Sequence, residues 1–384
     1  MNSFADARDM EISNFDEKLD VLVNKMADVD GDFARYALEY GWIDQLKNRE
    51  QVRVEMQELV GKDSSNLGFK SVSYKNYLDV ISMPSGLSQS DGDQVGIVVA
   101  KGVILNGAQK AGTIGGDSTA RLLRQARLND DIKAVVLHVD SPGGSAFASE
   151  VIRNEIELLK QAGKPVVAKM GTYAASGGYW ISASADKIVA SPSTITGSIG
   201  VFGMFMTYEN TLDYLGITVD GVGTTEVAGM SAARSLDPRI GQIIQGSIEH
   251  SYQQFIELVS SERNLTEVRV DEIAQGRVWI GETALELGLV DQLGSLKDAV
   301  AAAAELANLE NYSSRVVTRE LSPKEQFWKD FFSQAATLVE GSGISYEQSY
   351  ALGLFKDVIE DFDSVARLND PRGVYAMCVA CEID

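Results

Sequence analysis

From Gln94 onward the apolar positions alternate between strand-like runs and amphipathic stretches. Val95–Leu105 is strand-like, and Ser118–Leu128 carries apolar residues at helical spacing. Ile132-Lys-Ala-Val-Val-Leu-His-Val139 is almost continuously apolar, the pattern of a central parallel strand covered on both faces. Ser149–Gln161 predicts a helix with Ile152, Ile156, Leu158 and Leu159 as its apolar positions, and Pro165–Met170 predicts the next strand. A Gly/Ala/Ser-rich turn then leads into Gly177–Ala185, and Ile188–Ala190 is a short strand before Pro192. Pro238–Arg263 predicts a long helix and Thr266–Ala274 a shorter one. Together these predict an α/β fold with a mostly parallel sheet and covering helices.

A repeat organises the rest. Ala37-Leu-Glu-Tyr-Gly-Trp-Ile-Asp-Gln-Leu46 recurs as Ala284-Leu-Glu-Leu-Gly-Leu-Val-Asp-Gln-Leu293, identical at seven of ten positions. A helical segment follows each copy, near residues 47–60 and 295–307. The second copy closes the α/β segment that begins near Gln94, whereas only about 36 residues precede the first. The expectation is that the chain opens inside the tail of an earlier, similar unit. Residues 1–62 are then the tail of an incomplete N-terminal repeat, 63–93 a connector, 94–308 the principal domain and 309–384 a C-terminal extension. The connector, rich in Ser, Gly, Asp and Asn, carries a short apolar piece at Tyr74–Ile81. The extension carries the cluster Phe327-Trp-Lys-Asp-Phe-Phe332, read as packing against the main domain, with an amphipathic helix touching a partner subunit or a membrane as the alternative.

Composition narrows the function. With 45% apolar and 23% charged residues in 384, the chain is globular, and its formal charge of −21 excludes a nucleic-acid partner that needs a basic face. No apolar run reaches the roughly 18–20 residues of a membrane span, and the first residues lack the basic stretch and apolar core of a secretion signal. Cys378 and Cys381 form a lone Cys-x-x-Cys, half a zinc site at most, for which a local disulfide and an idle reduced pair are both open. No metal or cofactor is expected.

Two Gly-rich turns carry the candidate chemistry. Asp140-Ser-Pro-Gly-Gly-Ser145 follows one buried strand, and Gly171-Thr-Tyr-Ala-Ala-Ser-Gly-Gly-Tyr-Trp180 spans the end of the next. Glycines there let backbone N–H groups face a ligand, as an oxyanion hole requires. Ser176, flanked by Ala174-Ala175 and Gly177-Gly178, is the candidate nucleophile. The plain alternative is a helix N-cap and a tight turn, with no chemistry. Two such motifs one β/α unit apart favour the functional reading.

A serine nucleophile needs a base. His138 lies mid-strand and reads as a core histidine satisfied by local hydrogen bonds, and His250 as a surface or interface residue of the long helix. A Ser-His-Asp triad is therefore not expected, and a lysine with a burial-lowered pKa is the natural substitute. Lysine is absent between Lys187 and Lys297, leaving Lys169 and Lys187 as candidates, each with the structural alternative of a snorkelling side chain.

These residues resemble the signal peptide peptidase A family. The likeness rests on Asp140-Ser-Pro-Gly-Gly, Ala174-Ala-Ser-Gly-Gly-Tyr and Pro192-Ser-Thr-Ile-Thr-Gly-Ser-Ile-Gly-Val201, and is strongest over residues 94–300. The Asn369-Asp-Pro-Arg and Cys-x-x-Cys region resembles the long form found in Gram-negative bacteria. The resemblance implies a crotonase-like fold shared with Clp-type peptidases, a ring-like homo-oligomer, and cleavage of signal peptides within their apolar segments by a Ser-Lys dyad at the periplasmic side of the inner membrane. It maps the nucleophile onto Ser176 and the oxyanion donors onto Gly143 or Gly144 and Gly177. In short-form relatives the lysine lies in the stretch corresponding to Gly223–Met230, which here contains none. In the long form it comes from the N-terminal repeat, so the resemblance implies a base supplied from outside this chain. Two other readings are a non-catalytic peptide-binding or oligomerisation scaffold and a crotonase-type acyl-CoA enzyme, which has no need of Ser176.

Overall fold

The computed structural model describes residues 18–62, 68–70, 92–110, 112–221, 230–318 and 368–378, with a few isolated positions besides. The connector piece Tyr74–Ile81, the Phe327–Phe332 cluster and most of Gly223–Met230 lie outside the described residues.

Among the described residues of the N-terminal part lie the helices α1 (Leu19–Asp28), α2 (Phe33–Glu39) and α3 (Arg49–Val60). The principal domain then runs β1 (Gln94–Lys101), β2 (Ile104–Leu105), β3 (Ile114–Gly115), α4 (Gly116–Leu128), β4 (Ile132–Ser141), β5 (Gly143–Ser145) and α5 (Ala146–Gln161). After it come β6 (Val166–Ala175), α6 (Gly177–Ala183), β7 (Lys187–Ala190), β8 (Ile195–Gly197), β9 (Phe202–Gly203) and α7 (Glu209–Tyr214). The remainder is α8 (Pro238–Arg263), α9 (Glu267–Ile273), β10 (Val278–Ile280), α10 (Gly281–Glu286), β11 (Gln292–Leu293), α11 (Leu296–Leu306), β12 (Ser313–Val316) and β13 (Val374–Met377).

The principal sheet has the order β10-β8-β6-β4-β1-β12, with β7 and β11 branching from β6. Its pairings are parallel except β10 with β8. Alternation along the strands explains the nearly unbroken apolar run of β4. Val135, Leu137 and Val139 pack with α4, α5, α6 and α8, while Ala134 and Val136 join Val95, Ile97 and the alanines of α11 on the other face. At about 1.5–3 kcal/mol for each large side chain fully buried, this two-sided cover makes β4 and β6 a rigid base for the turns at their carboxyl ends.

A second sheet, ordered β3-β2-β5-β13-β9, lies over that end. The expected single strand Val95–Leu105 is divided between the two sheets. Gly102 breaks it at φ +101, where a Cβ would collide with the Gly112 carbonyl, and Ile104–Leu105 continues in the second sheet. Strands from beyond residue 308 enter both sheets, β12 beside β1 and β13 between β5 and β9.

The sequence repeat is also a backbone repeat. Trp42 and Ile43 donate to the Ala37 carbonyl at 2.8 and 3.1 Å, and Leu289 and Val290 donate to that of Ala284 at 2.8 and 3.2 Å. Gly41 and Gly288 hold φ of +76 and +78, and the helix after each copy opens with a capping box, Asn48 with Gln51 and Ser295 with Asp298. The first copy docks on the principal domain. Leu19, Met26 and Val29 pack on Ile240 and Ile243 of α8, and Glu50 and Arg53 of α3 form an ion-pair network with Arg127 and Glu155.

Candidate active site

Ser176 is the single residue between the end of β6 and the start of α6. Its backbone sits at φ 53 and ψ −113, a region L-residues avoid unless the surroundings force it. Two bonds do so: Ser176 N donates to the Gly197 carbonyl at 2.8 Å, and Trp180 N donates to the Ser176 carbonyl at 2.8 Å. A serine preceding a helix ordinarily caps it, but Ser176 makes no capping bond. Its Oγ donates instead to the Gly200 carbonyl at 3.3 Å. Ser145, at the other turn, does cap: its Oγ accepts from Ala148 N at 3.1 Å. The capping alternative thus describes Ser145 and fails for Ser176.

The Asp140–Ser145 turn lies against this serine. Gly143 and Gly144 hold φ of +102 and +147. A Cβ on Gly143 would stand 2.7 Å from Gly177 N, and one on Gly177 would stand 2.8 Å from Ser149 Oγ and 2.9 Å from the Ala376 carbonyl oxygen. The two turns therefore meet backbone to backbone, which only glycine allows. Asp140 holds them in register, its Oδ1 accepting from Thr172 N at 3.1 Å and Tyr173 N at 3.4 Å. Gly143 N donates to Ser141 Oγ at 3.1 Å. Behind Ser176, Trp180 Nε1 donates to Glu150 at 2.9 Å and Tyr179 Oη to the Leu289 carbonyl at 2.9 Å, fixing α6. Burial pushes the Tyr179 phenol well above its ordinary pKa, so it stays a neutral donor. A hydroxyl beside two glycine turns is an arrangement suited to acyl transfer.

Among the described residues, neither candidate lysine is hydrogen-bonded to Ser176, whose Oγ bonds to Gly200. Seven positions separate Lys169 from Ser176, and the register of β6 shifts between Met170 and Ala174 on the way. Lys187 pairs opposite Val167. Lys169 is buried and donates to the Met170 carbonyl and, at 3.3 Å, to Ser191 Oγ. Burial lowers its pKa, with Asp298 opposing. His250 lies 3.6 Å from Asp32 of the N-terminal segment, an interface residue as expected.

His138 differs from expectation in one respect: its Nδ1 is buried without a hydrogen-bond partner. Burial lowers its pKa, partly offset by a backbone hydrogen bond at Lys169. Unfolded histidine titrates near about 6.5, so below that pH the unfolded state binds more protons and stability falls as pH drops. We expect the urea midpoint to decline between about pH 7 and 5.5 in the parent and less steeply in His138→Gln. Equal slopes would show that His138 is not held neutral.

Gly200, Ser198 and Ala376 were not singled out from sequence. Gly200 accepts the Ser176 hydroxyl from 24 positions away, and Ser198, at φ 49, shares with Gly200, Tyr252, Met377 and Cys378 the lining of a cavity of about 350 Å³. The Gly197-Ser-Ile-Gly200 run was a usable signal, and Ala376 had none. Cys378 and Cys381 form a disulfide packed on Ala175.

The profile described as peptidase family S49 matches residues 158–310. The chain is 39% identical to Protease 4 of Salmonella typhi over 360 residues, which are 94% of this chain and 57% of that protein. It is 38% identical to Protease 4 of Haemophilus influenzae, over 91% of this chain and 57% of that one. The chloroplastic serine protease SPPA of Arabidopsis thaliana is 33% identical over 79% of this chain and 45% of its own length. The chain spans little more than half the length of the two bacterial relatives.

Proposed function

The chain carries a domain of peptidase family S49, and from that premise we propose that it is a serine endopeptidase of the signal peptide peptidase A type. Ser176 Oγ attacks the scissile carbonyl, and the backbone N–H groups of Gly177 and Gly144 stabilise the oxyanion, the Gly143 N–H being held by Ser141 Oγ. A lysine kept neutral by burial takes the serine proton and returns it to the leaving amine, after which water releases the acyl group. That lysine comes from polypeptide outside this chain, an upstream segment or a neighbouring copy in a homo-oligomer. The substrates are apolar, signal-peptide-like segments met at the periplasmic side of the inner membrane. Ala174, Ala175, Gly177 and Gly178 leave room beside the serine for a peptide backbone.

One observation carries the reading: Ser176 stands where a helix cap would, in a backbone conformation L-residues avoid, and does not cap. The test is labelling of the purified chain with a serine-directed phosphonate. We expect slow labelling that is lost in Ser176→Ala and unchanged in Lys169→Ala and Lys187→Ala. Undiminished labelling of Ser176→Ala would refute the assignment. A folded chain that binds apolar peptide yet never labels, even with the N-terminal half of a long-form relative added, would favour a peptide-binding scaffold.

A further inference from the structure

Two strands leave the site turns side by side. β5 continues from Gly143, and β9 follows the stretch whose Gly200 carbonyl accepts the Ser176 hydroxyl. Between them lies β13, antiparallel to both. Tyr375 is opposite Ser145 and Phe202, Ala376 opposite Gly144, and Met377 opposite Gly143. The Ala376 carbonyl oxygen rests against both Gly143 and Gly177, one from each of the two site turns. β2 occupies the other edge of β5, so while β13 is in place β5 has no edge to offer a substrate strand. Ser176 itself is fully buried.

We propose that the C-terminal strand Val374–Met377 is an intramolecular occupant of the peptide groove, which a substrate must displace. The inference rests on the peptidase reading above and names what regulates its site. The strand is latched at both ends. The buried Asp370 carboxylate accepts from Ser145 Oγ at 2.5 Å and Phe147 N at 3.0 Å through one oxygen, and from Arg372 N at 2.8 Å and Val374 N at 3.3 Å through the other. Asn369 exchanges two hydrogen bonds with the Asn106 backbone, at 2.7 and 3.1 Å. Past the strand, Cys378 N donates to the Pro142 carbonyl at 2.7 Å. Groups at positions 106, 142, 145 and 147 thus hold a short strand that brings a small residue, Ala376, to the glycines. A peptide that binds by adding a strand would use the same backbone groups of β5 and β9.

The test uses a fluorescent Gly-Val-Tyr-Ala-Met peptide, the sequence of residues 373–377. Its binding is read by anisotropy on full chains carrying Ser176→Ala to prevent turnover. Asp370→Ala opens the latch, and Ala376→Arg places a charge where none fits. We expect either change to tighten peptide binding at least tenfold, and Asp370→Ala to speed phosphonate labelling in the Ser176 chain. Hydrogen exchange on the unaltered chain decides the matter if the variants misfold: saturating peptide should raise exchange at Tyr375–Cys378. Peptide binding that is no tighter in folded variants, or that leaves tail exchange unchanged, would make β13 a fixed wall and overturn the proposal. In those cases Ser176 would still label, so only this inference falls. Absence of both labelling and peptide binding in every chain would remove the peptidase reading and this proposal with it.

Discussion

Alanine at position 176 lowers peptide turnover, measured with whatever upstream polypeptide supplies the base, by a factor on the order of 10⁴ or more, with the chain still folded. The loss is large because no other group described at the site can form the acyl intermediate. Histidine is absent from the turns, Lys169 hydrogen-bonds to Met170 and Ser191, and Lys187 lies opposite Val167. The same position separates activity from stability. Ser176 is held at φ 53, and such conformations cost roughly 1–3 kcal/mol for a residue with a Cβ. Glycine removes that strain but brings an unfolded-state entropy cost of about 0.5–1 kcal/mol. Ser176→Gly, equally inactive, should therefore be more stable than Ser176→Ala by about 1 kcal/mol in urea titrations. Turnover surviving in the alanine variant would end the nucleophile assignment, and equal stabilities would show the backbone to be unstrained.

Gly143→Ala should combine a loss of phosphonate labelling of at least about a hundredfold with destabilisation of about 3 kcal/mol. The added methyl would overlap the Ala376 carbonyl and stand 2.7 Å from Gly177 N, both backbone atoms that no rotamer change can move away. Expelling β13 would relieve the first clash and leave the second, so labelling stays impaired even with the tail released. Gly163→Ala is the control. Gly163 also holds a positive φ, +76, but nothing lies within 4 Å of its Cβ. It should cost about 1 kcal/mol and leave labelling intact. If Gly143→Ala matched that control, the two turns would not be in the contact described.

What was legible in the sequence follows signal strength. Pro238–Arg263 was bounded to the residue because its ends carry chemistry: Asp237 caps it, Pro238 takes the first position and Asn264 closes it in the left-handed conformation. The apolar run of β4 identified a strand buried on both faces because alternate residues do pack on opposite sides. Strands as short as Ile104–Leu105 or Phe202–Gly203 contain no full period and could not be found that way. At the site, residue types and spacing pointed to Ser176 and the two glycine turns, and the family resemblance to Gly143 or Gly144 with Gly177. The step from N-cap serine to strained, non-capping serine exists only in the backbone dihedrals. Lys169 shows the converse: a lowered pKa and proximity in sequence, with a side chain that hydrogen-bonds to Met170 and Ser191 instead. Ala376 was unreadable because its importance lies in a pairing with Gly144, on a strand far away in the chain.

The latch of the C-terminal strand has a kinetic side. Asp370 meets Ser145 across 225 positions and Asn369 meets Asn106 across 263, whereas β1, β4 and β6 at the centre of the principal sheet follow one another closely. Contacts of such separation form late, after nearby β/α units have condensed. Closing so long a loop adds only about 0.6 kcal/mol per doubling of its length, so it is timing more than equilibrium that suffers. The pairings of β13 are thus among the last to form and the first to open, by sub-global unfolding well short of the global free energy. A freshly folded principal domain passes through an interval with its groove unfilled, and an open-groove state remains accessible from the native one without melting the core.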